Sequence, residues 1–115
     1  MFQDLPVPLL KVAAGGEILM ANTTATALLG GKIGENTVLS DVMEGLGRAI
    51  PDWLAEAAQA HSTPRSEFLR LTRRDREVFV QVTLNRCVEA TGTALIAVLS
   101  DATELKTLEA QFVQS

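Results

Sequence analysis

The sequence predicts an α+β fold, with an antiparallel sheet of about five strands, its helices gathered on one face, and a further helix at the C-terminus. Three observations predict it. Extended and helical segments follow the order two strands, short helices, one longer helix, three strands, helix. After Pro64 the apolar spacing changes from helical to every second residue, the change that separates an amphipathic helix from a half-buried strand. The last strand, "GTALIAVLSD", is apolar on both faces, as a central or doubly covered strand requires.

"PVPLLKVAAGGEILMAN" reads as two strands about Gly15-Gly16, a pair suited to a tight hairpin because both residues tolerate positive φ. Plain alternation would put Ile18 and Met20 on one side and Leu19 and Ala21 on the other. Asn22 stands where an N-cap belongs, and "TTATALLGG" supplies a short helix stopped by Gly30 or Gly31. "TVLSDVMEGLG" has room for one or two helical turns between glycines. "IPDWLAEAAQA" is a better helix, with Pro51 in the first turn, Asp52 at the positive end of the dipole and a stripe of Trp53, Leu54, Ala57 and Ala58. "SEFLRLTRR", "REVFVQVTLNRCV" and "GTALIAVLSD" then read as three strands joined at Arg74-Asp75 and at "EATG". In the middle strand Val78, Val80, Val82 and Leu84 form one apolar face.

Composition narrows the function. A chain of 115 residues, 47% hydrophobic and 21% charged, suits one globular domain with one core. A net charge of -4 argues against a nucleic-acid binder, whose affinity comes largely from basic side chains neutralising phosphates. Six of the ten basic residues nevertheless fall between Arg65 and Arg86, either as a solvated hairpin tip or as a contact for an anion or partner. Cys87 is the only cysteine, so no internal disulfide or multi-cysteine metal cage forms, and a cytoplasmic, reducing setting is expected. No apolar run of about eighteen residues exists and "MFQDLPVPLL" lacks a secretory basic region. No membrane contact by this chain is expected, although a longer parent protein is free to carry an anchor.

The run of "GGEILMAN" into "TTATALLG", the "RRDRE" hairpin and above all "SDATELK" together resemble a PAS domain, a sensory module of bacterial signalling proteins. "SDATELK" resembles the Asp-x-Thr joint between the last strand of that fold and an output helix. "LEAQFVQS" is similar to the segment that leads from a PAS domain into the dimerisation and phosphoacceptor helices of hybrid histidine kinases, those of the alphaproteobacterial cell cycle among them. The resemblance implies a PAS sensory domain over 1–102 and the start of a C-terminal signalling helix over 103–115.

It also implies a ligand pocket between the inner sheet face and the longer helix. Alternation nominates Val80, Val82, Leu95 and Ala97, with Leu54 and Ala57 opposite and Phe68 beside them. The same residues are what a packed core requires. If Phe68 faces inward, Arg70 does too, either to bind a ligand carboxylate or to snorkel at the sheet margin. No cofactor is predicted, and a small-molecule ligand of unknown identity is left open. His61 matches the place of a haem ligand in some relatives, but "AHSTPR" reads as a solvated helix end. Cys87, late in a strand, lacks the helical setting of a flavin-reactive cysteine.

Asp101 is placed to cap the terminal helix by accepting from the backbone N–H of Thr103 or Glu104. The resemblance implies that Asp101 and Thr103 also act as the signal relay, beyond a capping role alone. Leu105, Leu108 and Phe112 form the apolar side of the output helix, which is too short to be stable alone and must pack or continue. The expected function is a non-catalytic sensory and dimerisation module that forms a homodimer through the domain and this helix. It would pass the state of a small-molecule or protein ligand to the kinase core of the same parent chain, shifting the balance of kinase and phosphatase output. One competing reading is a structural dimerisation or docking domain without ligand. Another is a small thioesterase-like enzyme, for which Asp52 and Glu56 offer the best carboxylate pair but no nucleophile accompanies them.

Overall fold

The computed structural model describes residues 7–31, 33–59, 66–73, 75, 77–105 and 108–109. Among these, the strands are β1 (Leu9–Ala13), β2 (Ile18–Ala21), β3 (Met43–Gly45), β4 (Ser66–Leu71), β5 (Phe79–Glu89) and β6 (Gly92–Asp101). The helices are α1 (Thr23–Leu28), α2 (Leu39–Val42) and α3 (Ile50–Ala57). All strand pairs are antiparallel, and the single sheet runs β2-β1-β6-β5-β4-β3. The doubly apolar strand β6 lies centrally, as its sequence requires.

Strand alternation sets the core. Leu10 and Val12 of β1, Leu69 and Leu71 of β4, Val80, Val82 and Leu84 of β5, and Leu95, Ala97 and Leu99 of β6 are all buried on one face. Ala25 of α1, Leu39 of α2 and Ile50, Trp53 and Leu54 of α3 close over them. Each large aliphatic side chain so buried contributes about 1.5–3 kcal/mol relative to exposure. Residues of opposite parity, among them Leu9, Lys11, Ile96, Val98, Thr83 and Phe79, form the outer face.

Three local features depart from simple periodicity. Gly16, not Gly15, takes the positive φ of the first hairpin, at +104°. The Gly16 N–H donates to Ala13 O and the Ala13 N–H to Glu17 O, the pattern of a three-residue loop closed by a glycine bulge. The β1/β2 register also slips between Lys11 and Val12, pairing Lys11 with Met20 but Val12 with Ile18. Leu19 is the extra residue, 52% exposed, and the bulge brings Ile18 and Ala21 to one face instead of Ile18 and Met20. Finally, Met43–Gly45 does not continue the preceding helical turn but adds a sixth strand, paired with β4 from Met43↔Leu71 to Gly45↔Leu69. Burial of Met43 favours this, and a Cβ on Gly45 would collide with the Arg48 carbonyl oxygen.

Two connections place the ends of the domain side by side. Leu9 pairs with Val98, and the Leu99 N–H donates to Pro8 O at 3.0 Å. The chain therefore enters the sheet beside the point where β6 leaves it.

Candidate functional site

The interior residues nominated from the sequence separate into two groups. Leu54, Val80, Val82, Leu95 and Ala97 are buried in one cluster, and Ala57 packs against its margin. Phe68 and Arg70 are not part of it. On β4 the buried side chains are Leu69 and Leu71, so Phe68 and Arg70 point to the outer face. Two phases compete in "SEFLRL": one buries Phe68 at the cost of Arg70, the other buries two leucines with only Glu67 alongside. The second phase wins because it leaves no guanidinium under the sheet.

Arg70 is instead an outer-face crosslink. Its guanidinium pairs with Glu44 of β3, its cross-strand partner, and approaches Glu77 at 3.7 Å. On the inner side Glu67 and Glu56 flank Arg48, at 3.8 and 2.8 Å. The hydrogen bond to Glu56 raises the Arg48 guanidinium above its ordinary value. Glu56 is thus committed to an ion pair, and Asp52 lies exposed one turn away, an arrangement without a general acid and base aimed at one point.

The described members of the basic cluster, Arg70, Arg73 and Arg86, each meet a partner, while Arg65, Arg74 and Arg76 lie outside the described residues. Neither α1 nor α3 carries a basic residue in its own last turn, and each receives one from elsewhere. Arg86 of β5 donates to Ala58 O at the end of α3, at 3.2 Å. Arg73, between β4 and β5, donates to Leu28 O at the end of α1, at 3.0 Å. Positive groups at helix C-termini are stabilised by the dipole and satisfy orphan carbonyls. Asp75 holds the Arg73 guanidinium in a two-point pair and raises it above its ordinary value. No sequence signal links Arg73 to Leu28, because the pairing is tertiary.

Asn22 is the buried polar side chain of the core. Its Oδ1 accepts from the Ala25 N–H at 2.9 Å and the Leu9 N–H at 3.0 Å, and its amide donates to Val7 O at 2.7 Å. One side chain therefore caps α1 and fixes the start of β1.

The other end of the sheet carries the joint nominated from the sequence. Asp101 Oδ1 accepts from the Thr103 N–H at 3.0 Å. The Ala102 N–H donates to Phe79 O at 2.8 Å, and the Phe79 N–H donates to Thr103 Oγ1 at 3.0 Å. Thr103 thus substitutes its hydroxyl for the next backbone rung of the β5/β6 ladder as the chain turns away. Phe79, whose backbone supplies both partners, was not foreseeable, since register decides which residue lies there. Residues 103–105 are helical, and Leu105 and Leu108 are 47% and 46% exposed. Phe112 and His61 lie outside the described residues.

Beside this joint lies an open cleft of about 630 Å³, lined by Val7 and Pro8, by Thr24, Ala27 and Leu28 of α1, and by Val98 to Asp101 of β6. Cys87 sits half-buried on the outer face, opposite Ala94. Among the described residues no three His, Cys, Asp or Glu side chains are grouped to hold a metal ion, and no helix is long and apolar enough to cross a membrane.

The sequence matches no family model and no curated protein. Several solved structures share its fold. It is similar to the PAS domain of an HTR-like protein from Haloarcula marismortui, with a TM-score of 0.72 and 20% identity over 87% of this chain and 84% of that one. The PAS domain of nitrogen regulation protein NR(II) from Vibrio parahaemolyticus superposes with a TM-score of 0.69 and 14% identity, covering 87% and 93% of the two chains. The PAS domain from Bordetella pertussis BvgS gives 0.53 and 17%, covering 96% and 86%. The chain has the PAS fold.

Proposed function

We propose that this chain is a sensory and signal-relay module of a two-component sensor histidine kinase, without chemistry of its own. The observation that carries the reading is the joint at Asp101 and Thr103. It ties the departing segment to the sheet through hydrogen bonds at Phe79, a half-buried one from Thr103 and one from the buried Ala102 N–H, with the Asp101 bond to the Thr103 N–H exposed to water. A ligand or partner that binds better when this joint is open than when it is closed would shift the pose of whatever follows. The nitrogen regulation protein among the structural neighbours, and the similarity of "LEAQFVQS" to kinase linker segments, support a regulatory setting.

In this proposal residues 1–102 sense and residues 103–115 begin the signalling helix. Leu105 and Leu108, exposed on a single chain, are the side chains that a homodimer would cover, with Phe112 continuing their spacing. The kinase core of the same parent chain, in the cytoplasm, receives the signal. Asp101→Ala and Thr103→Ala in the full-length protein are expected to uncouple autophosphorylation from its regulation while the domain stays folded. Wild-type regulation in both variants would end the proposal.

A second reading is favoured by the interior, where Leu10, Val12, Val80, Val82, Leu95 and Ala97 are fully buried against one another. A core so filled suits a docking and dimerisation domain that takes no small molecule. Native mass spectrometry of the gently purified chain separates the two. A stoichiometric bound molecule supports sensing within the domain, whereas bare polypeptide supports docking.

A further inference from the structure

The connection between β4 and β5 touches the helical layer and leads directly into Phe79, the residue of β5 that holds the joint. On one side the Thr72 N–H donates to Val42 O at 3.0 Å and its hydroxyl to Asp41 O at 3.1 Å, at the end of α2. Arg73 follows, with a side chain only 16% exposed. Its Nη1 donates to Leu28 O, while Nε and Nη2 donate to Asp75 at 2.9 and 2.6 Å. Gly30, at φ +95°, leaves room for it, since a Cβ there would stand 3.2 Å from Arg73 Nε. On the other side the hairpin is closed by the Leu71 N–H donating to Val78 O at 2.9 Å, and the next residue is Phe79. Its backbone holds Ala102 and Thr103.

We propose that Arg73 is a positioning residue: it grips the C-terminal end of α1 and so sets the place of the Phe79 backbone that receives the departing chain. The cleft lined by both Leu28 and Asp101 leaves space between α1 and the joint. Movement of α1 therefore reaches the joint around the cleft, through the guanidinium and the hairpin. A three-point hydrogen-bonded guanidinium suits this task, because it fixes direction as well as distance. The proposal rests on the reading of Asp101 and Thr103 as a relay only for its biological use. The mechanical link stands or falls by itself.

Amide hydrogen exchange of the whole chain tests it. Arg73→Ala is expected to speed exchange at Phe79 and Ala102 about tenfold, the order expected for losing a charged hydrogen bond that supports them, while Val82 and Leu95 amides change less. Arg86→Ala, which removes the equivalent cation from α3, should leave Phe79 and Ala102 unchanged. Arg73→Lys should restore part of the protection. Gly30→Ala, which crowds Arg73 without removing it, should reproduce the effect. If Arg73→Ala does not fold, Asp75→Asn loosens the same fork and is read at the same amides. Faster exchange confined to the end of α1, or a uniform rise across the sheet, would overturn the proposal, as would equal effects of the Arg73 and Arg86 variants. Exchange coupled as expected, together with a full-length protein indifferent to Thr103, would keep the link and remove the relay.

Discussion

The chain passes from strand to helix at Asn22 and from the last strand into a helical turn at Asp101 to Thr103, using one chemistry in two settings. In both, a short polar side chain accepts from a backbone N–H just inside the helix start. Asn22 is 0% exposed and joins three backbone partners on two segments. Asp101 is exposed and Thr103 half-buried, so their hydrogen bonds compete with water. Burial converts the first cap into a fixture, because every partner left unmatched there would carry a full desolvation penalty. Exposure keeps the second reversible.

Three substitutions test this contrast. The largest effect is expected for Asn22→Ala, which strands the Leu9 and Ala25 N–H groups and the Val7 carbonyl. It should cost about 3 kcal/mol in urea unfolding and lower the melting temperature by about 10 °C or more. A loss comparable to that of an exposed cap would erase the distinction. Thr103→Val, which keeps the shape but removes the hydroxyl, should cost about 1 kcal/mol and speed exchange chiefly at Phe79. Equal acceleration along all of β5 would mean that the joint is part of the global fold. Asp101→Ala should have the smallest effect, about 0.5 kcal/mol, at the low end for caps because water can replace the carboxylate. A melt showing a loss as large as that of Asn22→Ala would make the two joints equivalent.

Much of the fold was legible because short-range rules govern it. Asn22 before an apolar-spaced segment, Pro51 in a helical first turn and the alternation Val78, Val80, Val82, Leu84 each act within a few residues and appear as read. What escaped depends on partners far along the chain. The direction of β4 turned on which of two apolar phases the sheet would accept, and so Phe68 and Arg70 came out on the outer face. The bulge at Leu19 is fixed by where β1 and the hairpin loop leave the ladder, which no alternation pattern in "EILMA" records. Met43–Gly45 becomes a strand only through its pairing with Leu69, Arg70 and Leu71, about twenty-five residues on. The candidate site divided along the same line. The Asp101 hydrogen bond from the Thr103 N–H is local and was readable, whereas Phe79 and Arg73 meet their partners only after the sheet has formed.

The adjacency of Pro8 and Leu99 has a consequence for how the domain bears force. The start of β1 and the end of β6 are antiparallel neighbours. Tension between the segments before Val7 and after Asp101 would open their ladder from one end, loading its hydrogen bonds singly and in succession. Strands pulled lengthwise past one another share a load across every rung, but this pair would unzip. Under traction the domain would therefore open first at β1, where the Asn22 contacts to Val7 and Leu9 take the load before Leu10 and Val12 are drawn from the core.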